Sequence, residues 1–190
     1  MQGDYVLVTA GGGFDGFGLL AMFAQALRLR PLPCHTVMVA GPLMPDAQRA
    51  ALTELTAGID IELCELRSDM EYVIAGARAI VSMAGYNTVS ELMRAHKPAL
   101  LVPRAGPSQE QLIRARSLFG MGLQDMLHPA DLSPATLRDA LDRLLLRPVP
   151  DDLPPHYSGT ERAAQILADL AARDGSRGVP RLRPVGAESA

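Results

Sequence analysis

Tryptophan is absent from this chain of 190 residues, and aromatic side chains of any kind make up only 4% of it. A core must therefore be built from Leu, Val, Ile, Ala and Met. No stretch interleaves aromatics with Lys and Arg as a single-strand nucleic-acid surface does. Positive charge is not in excess either: the formal net charge is −3, so no global attraction draws the chain to nucleic acid, and no nucleic-acid partner is expected. Cysteine is scarce. Cys34 and Cys64 are too few for a disulfide scaffold, and neither has a His at metal-ligand spacing, so they read as buried reduced thiols of a cytoplasmic protein. No apolar run approaches the length of about 18 residues that marks a membrane-spanning helix, and no secretory leader is visible. What remains, 48% apolar and 21% charged residues, is the composition of a soluble globular domain.

Short apolar runs alternate with amphipathic stretches along most of the chain. Strands are predicted at about 5–10, 35–40, 59–66, 78–83, 99–102 and 123–127, with helices from the glycine turn at 11–18 to about 30, and at 46–57, 69–76, 87–96, 109–120, 133–146 and 159–173. Gly58 and Gly122 fall where helices should stop, and Ser133-Pro134 and Ser158-x-x-Glu161 fall where helices should start. Pro148, Pro150, Pro154 and Pro155 break the chain before the last helix, and residues 174–190 read as a disordered tail. Strands alternating with helices of this length predict an α/β fold, a doubly wound, mostly parallel, Rossmann-like sheet.

The segment after the first strand, Gly11-Gly12-Gly13-Phe14-Asp15-Gly16, contains a literal G-x-G-x-x-G in Gly11, Gly13 and Gly16. A dinucleotide fingerprint also wants an acid at the end of the second strand, about 20 residues on, for the ribose. No acid occurs between Asp15 and Asp46, and that strand ends in Gly41-Pro42, so NAD binding is rejected. The phosphate-loop pattern G-x-x-x-x-G-K-[ST] is absent as well. The loop is then either a place where backbone approaches a ligand closely, or simply a tight turn.

A second glycine-led helix start follows the fourth strand: Gly85-Tyr86-Asn87-Thr88, with Glu91 one turn in. Unpaired N–H groups and the positive dipole end at such a start suit a phosphate, and Glu91 is spaced to accept from a ribose diol. Thr88-x-x-Glu91 is equally a capping box, as is Ser108-x-x-Gln111, and spacing alone leaves both readings open. Asp60-x-Glu62 and Asp69-x-Glu71 mimic a metal motif but sit on a strand and at a helix start. The four His residues, at 35, 96, 128 and 156, are scattered, with no nucleophile beside them. Met70, Met83, Met121 and Met126 read as core or pocket-wall filler. No metal and no cofactor are expected.

Taken together, Gly85-Tyr86-Asn87-Thr88-Val89-Ser90-Glu91-Leu92, Lys97-Pro98-Ala99-Leu100-Leu101-Val102-Pro103 and Glu110-Gln111-x-x-Arg114-Ala115 resemble the C-terminal donor-binding domain of GT-B glycosyltransferases of the family-28 type. That group includes the enzyme adding N-acetylglucosamine to lipid I. The likeness covers about residues 4–147. It implies a diphosphate on the helix that begins at Gly85–Thr88, a ribose on Glu91, a sugar contact at Gln111 beside Glu110, glycine-loop contacts at Gly11, Gly12, Gly13 and Gly16, and a base held by backbone around Leu66-Arg67-Ser68. Two positions depart from the family pattern. Arg114 stands where the family has Asn, and Tyr86-Asn87 replaces a small residue after Gly85.

The resemblance implies a nucleotide-sugar-binding domain over residues 1–173, serving a hexosyltransferase with UDP as the expected nucleotide. The partner would be an acceptor-binding half, upstream in the same chain or on a second subunit, and any peripheral membrane association would come through that half. The abrupt entry into a strand at Tyr5 fits an excised half. The alternatives on the same scaffold are a UDP-sugar epimerase or hydrolase and a non-catalytic nucleotide-sugar-binding module.

Overall fold

The computed structural model describes residues 5–147 and 159–174. The chain divides into two compact units, Met1–Leu153 and Pro154–Ala190, each described by itself. In the first, β1 (Tyr5–Thr9), β2 (His35–Val39), β3 (Ile61–Cys64), β4 (Ala79–Ser82), β5 (Ala99–Leu101) and β6 (Asp125–Met126) form one sheet in the order β3-β2-β1-β4-β5-β6. Every pairing is parallel. The helices are α1 (Phe17–Leu29), α2 (Asp46–Thr56), α3 (Met70–Gly76), α4 (Tyr86–Arg94), α5 (Glu110–Gly120) and α6 (Pro134–Leu146), with a 3₁₀ turn at Pro129–Asp131. The described part of the second unit is α7 (Gly159–Asp174). Ser158 and residues 175–190 lie outside the described residues, and with them the expected start of the last helix and nearly all of the expected tail.

Period-two alternation sorts the strand side chains into two cores, one on each face of the sheet. Val6, Val8, Met38, Ala79, Val81 and Leu100 pack with Leu20, Phe23 and Leu27 of α1, Leu52 of α2 and Leu137, Leu141 and Leu144 of α6. The residues between them, Leu7, Val37, Ile80 and Leu101, pack with Val73 and Ile74 of α3, Val89, Leu92 and Met93 of α4 and Ala115 and Leu118 of α5. Each fully buried Leu, Ile or Phe contributes about 1.5–3 kcal/mol, so both faces are anchored and the loops at the strand ends are held on a rigid frame.

Polar groups finish the frame. The buried Gln124 stands in for a missing backbone pair: its Oε1 accepts from Ala99 N at 2.6 Å and its Nε2 donates to Lys97 O at 3.1 Å. The buried Arg138 of α6 donates to the carbonyls of Arg30 and Pro31 at 2.7 and 3.1 Å, closing the C-terminal end of α1. Two expectations are corrected here. Cys34 and Cys64 form no disulfide and are half-buried rather than buried, Cys34 standing just before β2 and Cys64 closing β3, where strand gives way to loop. Met121 is exposed, since it is the C-cap of α5 and points away from both cores.

Candidate functional site

The strand order reverses between β1 and β4: the connection after β1 runs to β2 on one side and that after β4 to β5 on the other, which opens a crevice at their carboxyl ends. Thr9 and Ser82 are paired there, the last residues of the two central strands. Both are buried, and both hydroxyls serve their own exit turn: Thr9 Oγ1 accepts from Gly11 N at 3.2 Å, and Ser82 Oγ donates to Met83 O at 3.0 Å.

The glycine loop after β1 is more than a tight turn. Gly13 N donates to Ala10 O and Gly16 N to Gly13 O, while Gly13 has φ +94° and Gly41, in the loop after β2, has φ +92°. A β-carbon at Gly13 would lie 2.5 Å from Ala40 O, and one at Gly41 would lie 2.5 Å from Gly11 O. The two loops therefore press backbone against backbone, joined by Leu43 N donating to Gly12 O at 2.8 Å. Gly16 has a packing role, since a β-carbon there would stand 2.0 Å from Ala10 Cβ. Among the described residues the N–H groups of Gly12, Phe14 and Asp15 take no partner.

The second loop resolves the capping question. Gly85 itself is the N-cap of α4, extended at φ −63° and ψ 147°, and no side chain caps the helix. The helix thus starts at Tyr86, one residue before the expected start at 87, and Thr88 and Glu91 form no capping box. The first-turn N–H groups of Tyr86, Asn87 and Thr88 have no intrahelical acceptor. Thr88 Oγ1 stands between the loops, 3.7 Å from where a β-carbon of Gly11 would be and 3.9 Å from one at Gly85. Ser108 and Gln111 form no box either. Gln111 Oε1 accepts from Arg104 N at 3.2 Å, which ties α5 to the end of β5.

These pieces enclose a cavity of about 280 Å³. Of the twelve predicted site residues it brings together Gly11, Gly12, Gly13, Gly85, Tyr86, Asn87, Thr88 and Gln111, with Ala10, Phe14, Asp15 and Met83 completing the wall. Gly16, Arg67, Glu91 and Glu110 lie outside it. The half-buried Glu91 faces a second depression between α3 and α4 with Glu71 and Arg94, and among the described residues its carboxylate takes no partner. The Arg67 guanidinium is engaged by Asp69 through two hydrogen bonds, at 2.8 and 2.9 Å. That pair holds the Asp69 carboxyl below the usual carboxylate range and raises the arginine further above its own. Glu110 pairs with Arg114. A larger cavity, about 520 Å³, lies between α5, α6 and the short β6, at the far edge of the sheet from the strand reversal and without a free helix start.

The two departures from the family pattern meet. Arg114 Nη1 donates to Ala84 O at 2.7 Å, and the guanidinium lies 5.5 Å from the centre of the Tyr86 ring, a cation–π spacing. Sequence reasoning missed Phe14, Asp15 and Arg104. Among the described residues Asp15 is the one charged residue in the cavity wall, and its carboxylate pairs with Arg104. Arg104 directly follows Pro103 at the carboxyl end of β5, the kind of position the strand-end rule marks. Among the described residues no cluster of three or more His, Cys, Asp or Glu side chains is placed to hold a metal. Asp60 and Glu62 instead flank His35, at 2.6 and 3.8 Å. No helix among the described residues is long and apolar enough to cross a membrane.

Residues 7–166 match the glycosyltransferase family 28 C-terminal domain. The UDP-N-acetylglucosamine--N-acetylmuramyl-(pentapeptide) pyrophosphoryl-undecaprenol N-acetylglucosamine transferase of Anaplasma marginale is 30% identical over 149 residues, which are 76% of this chain and 42% of that protein. Crystalline MurG of Acinetobacter baumannii superposes with a TM-score of 0.61 at 23% identity, over 74% of this chain and 40% of that one. The calicheamicin glycosyltransferase CalG4 gives 0.59 at 24% identity, over 96% and 44%. The chain spans less than half the length of each, and its sheet shares the fold of one half of a GT-B glycosyltransferase. With the match running from β1 into α7, the chain belongs to the family of glycosyltransferase family 28 C-terminal domains.

Proposed function

We propose that this domain binds the nucleotide-sugar donor, with UDP as the nucleotide, of an inverting glycosyltransferase that passes a hexosyl group to an acceptor held by another domain or subunit. The observation that carries the reading is the convergence of two glycine-led loops on one cavity at the strand reversal. Gly12, Phe14 and Asp15, whose N–H groups take no partner among the described residues, line that cavity with the first-turn residues of α4. Such donors stabilise the charge that builds on a departing diphosphate and need no reorganisation as it forms. The positive end of the α4 dipole adds to them. Glu91 would accept from the ribose one turn further on, and the backbone near Arg67 would meet the base. Family membership and the UDP-linked donor in the relative's name favour the same assignment.

The general base comes from outside this domain. Among the described residues the one acid in the cavity wall, Asp15, is engaged by Arg104, and a carboxylate held by a guanidinium is a weak base. The acceptor-binding half, whether upstream in the chain or a partner subunit, supplies it, together with any peripheral attachment to the cytoplasmic side of a membrane.

Titration calorimetry against uridine, UDP, UDP-N-acetylglucosamine, GDP and NAD at fixed salt tests the reading. UDP should bind about tenfold or more tighter than uridine, a difference of about 1.4 kcal/mol, with and without EDTA, and NAD should not bind. Equal affinities for uridine and UDP would overturn it.

A further inference from the structure

Resting on that reading, we propose that Arg104 is the cation that meets the donor's diphosphate, shared with Asp15, the counter-ion that competes for it. The cavity presents a conflict. Its wall carries one charge, the Asp15 carboxylate, yet it is assigned to an anion of charge −2 or more, and like charges at contact distance repel by several kcal/mol at an intermediate dielectric. The conflict is removed only if the charge on Asp15 is balanced, and Arg104 balances it.

The pair is placed for such sharing. Asp15 follows β1 and Arg104 follows β5, and β4 lies between those strands in the sheet. The ion pair therefore links the exits of β1 and β5 across that of β4, and the exit of β4 leads to Gly85 and the first turn of α4, where the diphosphate is assigned. Both side chains are about one-third exposed, 35% for Asp15 and 36% for Arg104, and exposed pairs of this kind are worth little, so Asp15 does not monopolise the guanidinium. Arg104 is also incompletely used, since its Nε is buried without a hydrogen-bond partner among the described residues, and such orphan donors are uncommon. Its backbone, in contrast, is fixed by Gln111, so the side chain turns about a held pivot. The neighbouring cation, Arg114, is committed elsewhere: it carries Ala84 O and Glu110 and lies on Tyr86. A planar guanidinium bound at one edge, with a further N–H in reserve, suits a bidentate grip on phosphate oxygens.

The two substitutions are expected to act in opposite directions. Arg104→Gln should weaken both UDP and inorganic pyrophosphate about tenfold or more and leave uridine unchanged. Asp15→Asn, which removes the competing carboxylate, should tighten both anions about threefold. Titration of the wild-type chain and both variants with uridine, UDP and pyrophosphate reads this, with thermal melting to confirm that each variant folds. The inference is overturned if Arg104→Gln leaves both anions unaffected, or if Asp15→Asn weakens them as Arg104→Gln does, which would make Asp15 a positioning residue. If UDP binds no better than uridine, the donor reading falls by itself. Pyrophosphate binding that depends on Arg104 would then still uphold the inference, and its absence would end it.

Discussion

At Glu91 the structure removes one of two readings, the cap, and the ribose contact stands as a proposal. Spacing allowed it to cap α4 or to meet a ribose. The cap is Gly85, and the Glu91 carboxylate takes no partner among the described residues. Glu91→Gln should therefore leave stability within about 0.5 kcal/mol, whereas loss of a charge-assisted acceptor should weaken UDP by about 1.5–3 kcal/mol. Melting and UDP titration on the same variant check it, and a fall in melting temperature with unchanged UDP affinity would restore the capping role. Lys97 offers a test by pH. It is 6% exposed, and burial pushes its ammonium below the ordinary value of 10.5. The unfolded chain then holds that proton more tightly than the folded one. Between the lowered folded value and 10.5, stability gains from this group as pH rises, and the gain is complete above 10.5. Lys97→Met should stabilise at neutral pH and should shrink its advantage as pH climbs towards 10.5. An advantage that stays constant across that range in urea unfolding would refute the assignment.

At the level of elements, much was legible. The six strands and seven helices were each anticipated within a few residues, because apolar runs of four to six alternate with amphipathic stretches and because Ser133-Pro134, Gly58 and Gly122 mark ends by chemistry. Less legible were ends made without a marker. His96 closes α4 with φ +52°, a place ordinarily read from glycine, and Gly85 starts it without a side-chain cap. The glycine run was read as one turn over 11–18, but Gly18 lies inside α1 while Gly13 is pressed against Gly41 from another loop. That contact is tertiary, and no local pattern announces it. Gly41→Ala should cost about 2 kcal/mol or more from left-handed strain and backbone contact and should weaken UDP by displacing the glycine loop. Gly18→Ala, exposed and with nothing within 4 Å, should gain about 0.5–1 kcal/mol. Urea unfolding of the two variants compares them, and equal effects would remove the back-to-back contact from the account.

For the whole molecule, the site could be found from sequence to the extent that it lies on glycines and helix starts. Eight of the twelve expected residues share one cavity. The Asp15–Arg104 and Tyr86–Arg114 contacts were not legible, because the first joins two loops and the second two helices that only the strand order β1-β4-β5 brings together. The same order makes the central claim testable: a nucleoside diphosphate sits across the two glycine-led starts, held by backbone N–H groups at the reversal. Amide chemical shifts of the isotope-labelled chain, followed as UDP and then uridine are added at equal ionic strength, measure this directly. With UDP, the amides of Gly12, Phe14, Tyr86, Asn87 and Thr88 should move most, and with uridine they should stay nearly still. Equal shifts with the two ligands, or shifts centred on Phe119, Asp125 and Arg147 at the β6 edge, would contradict it.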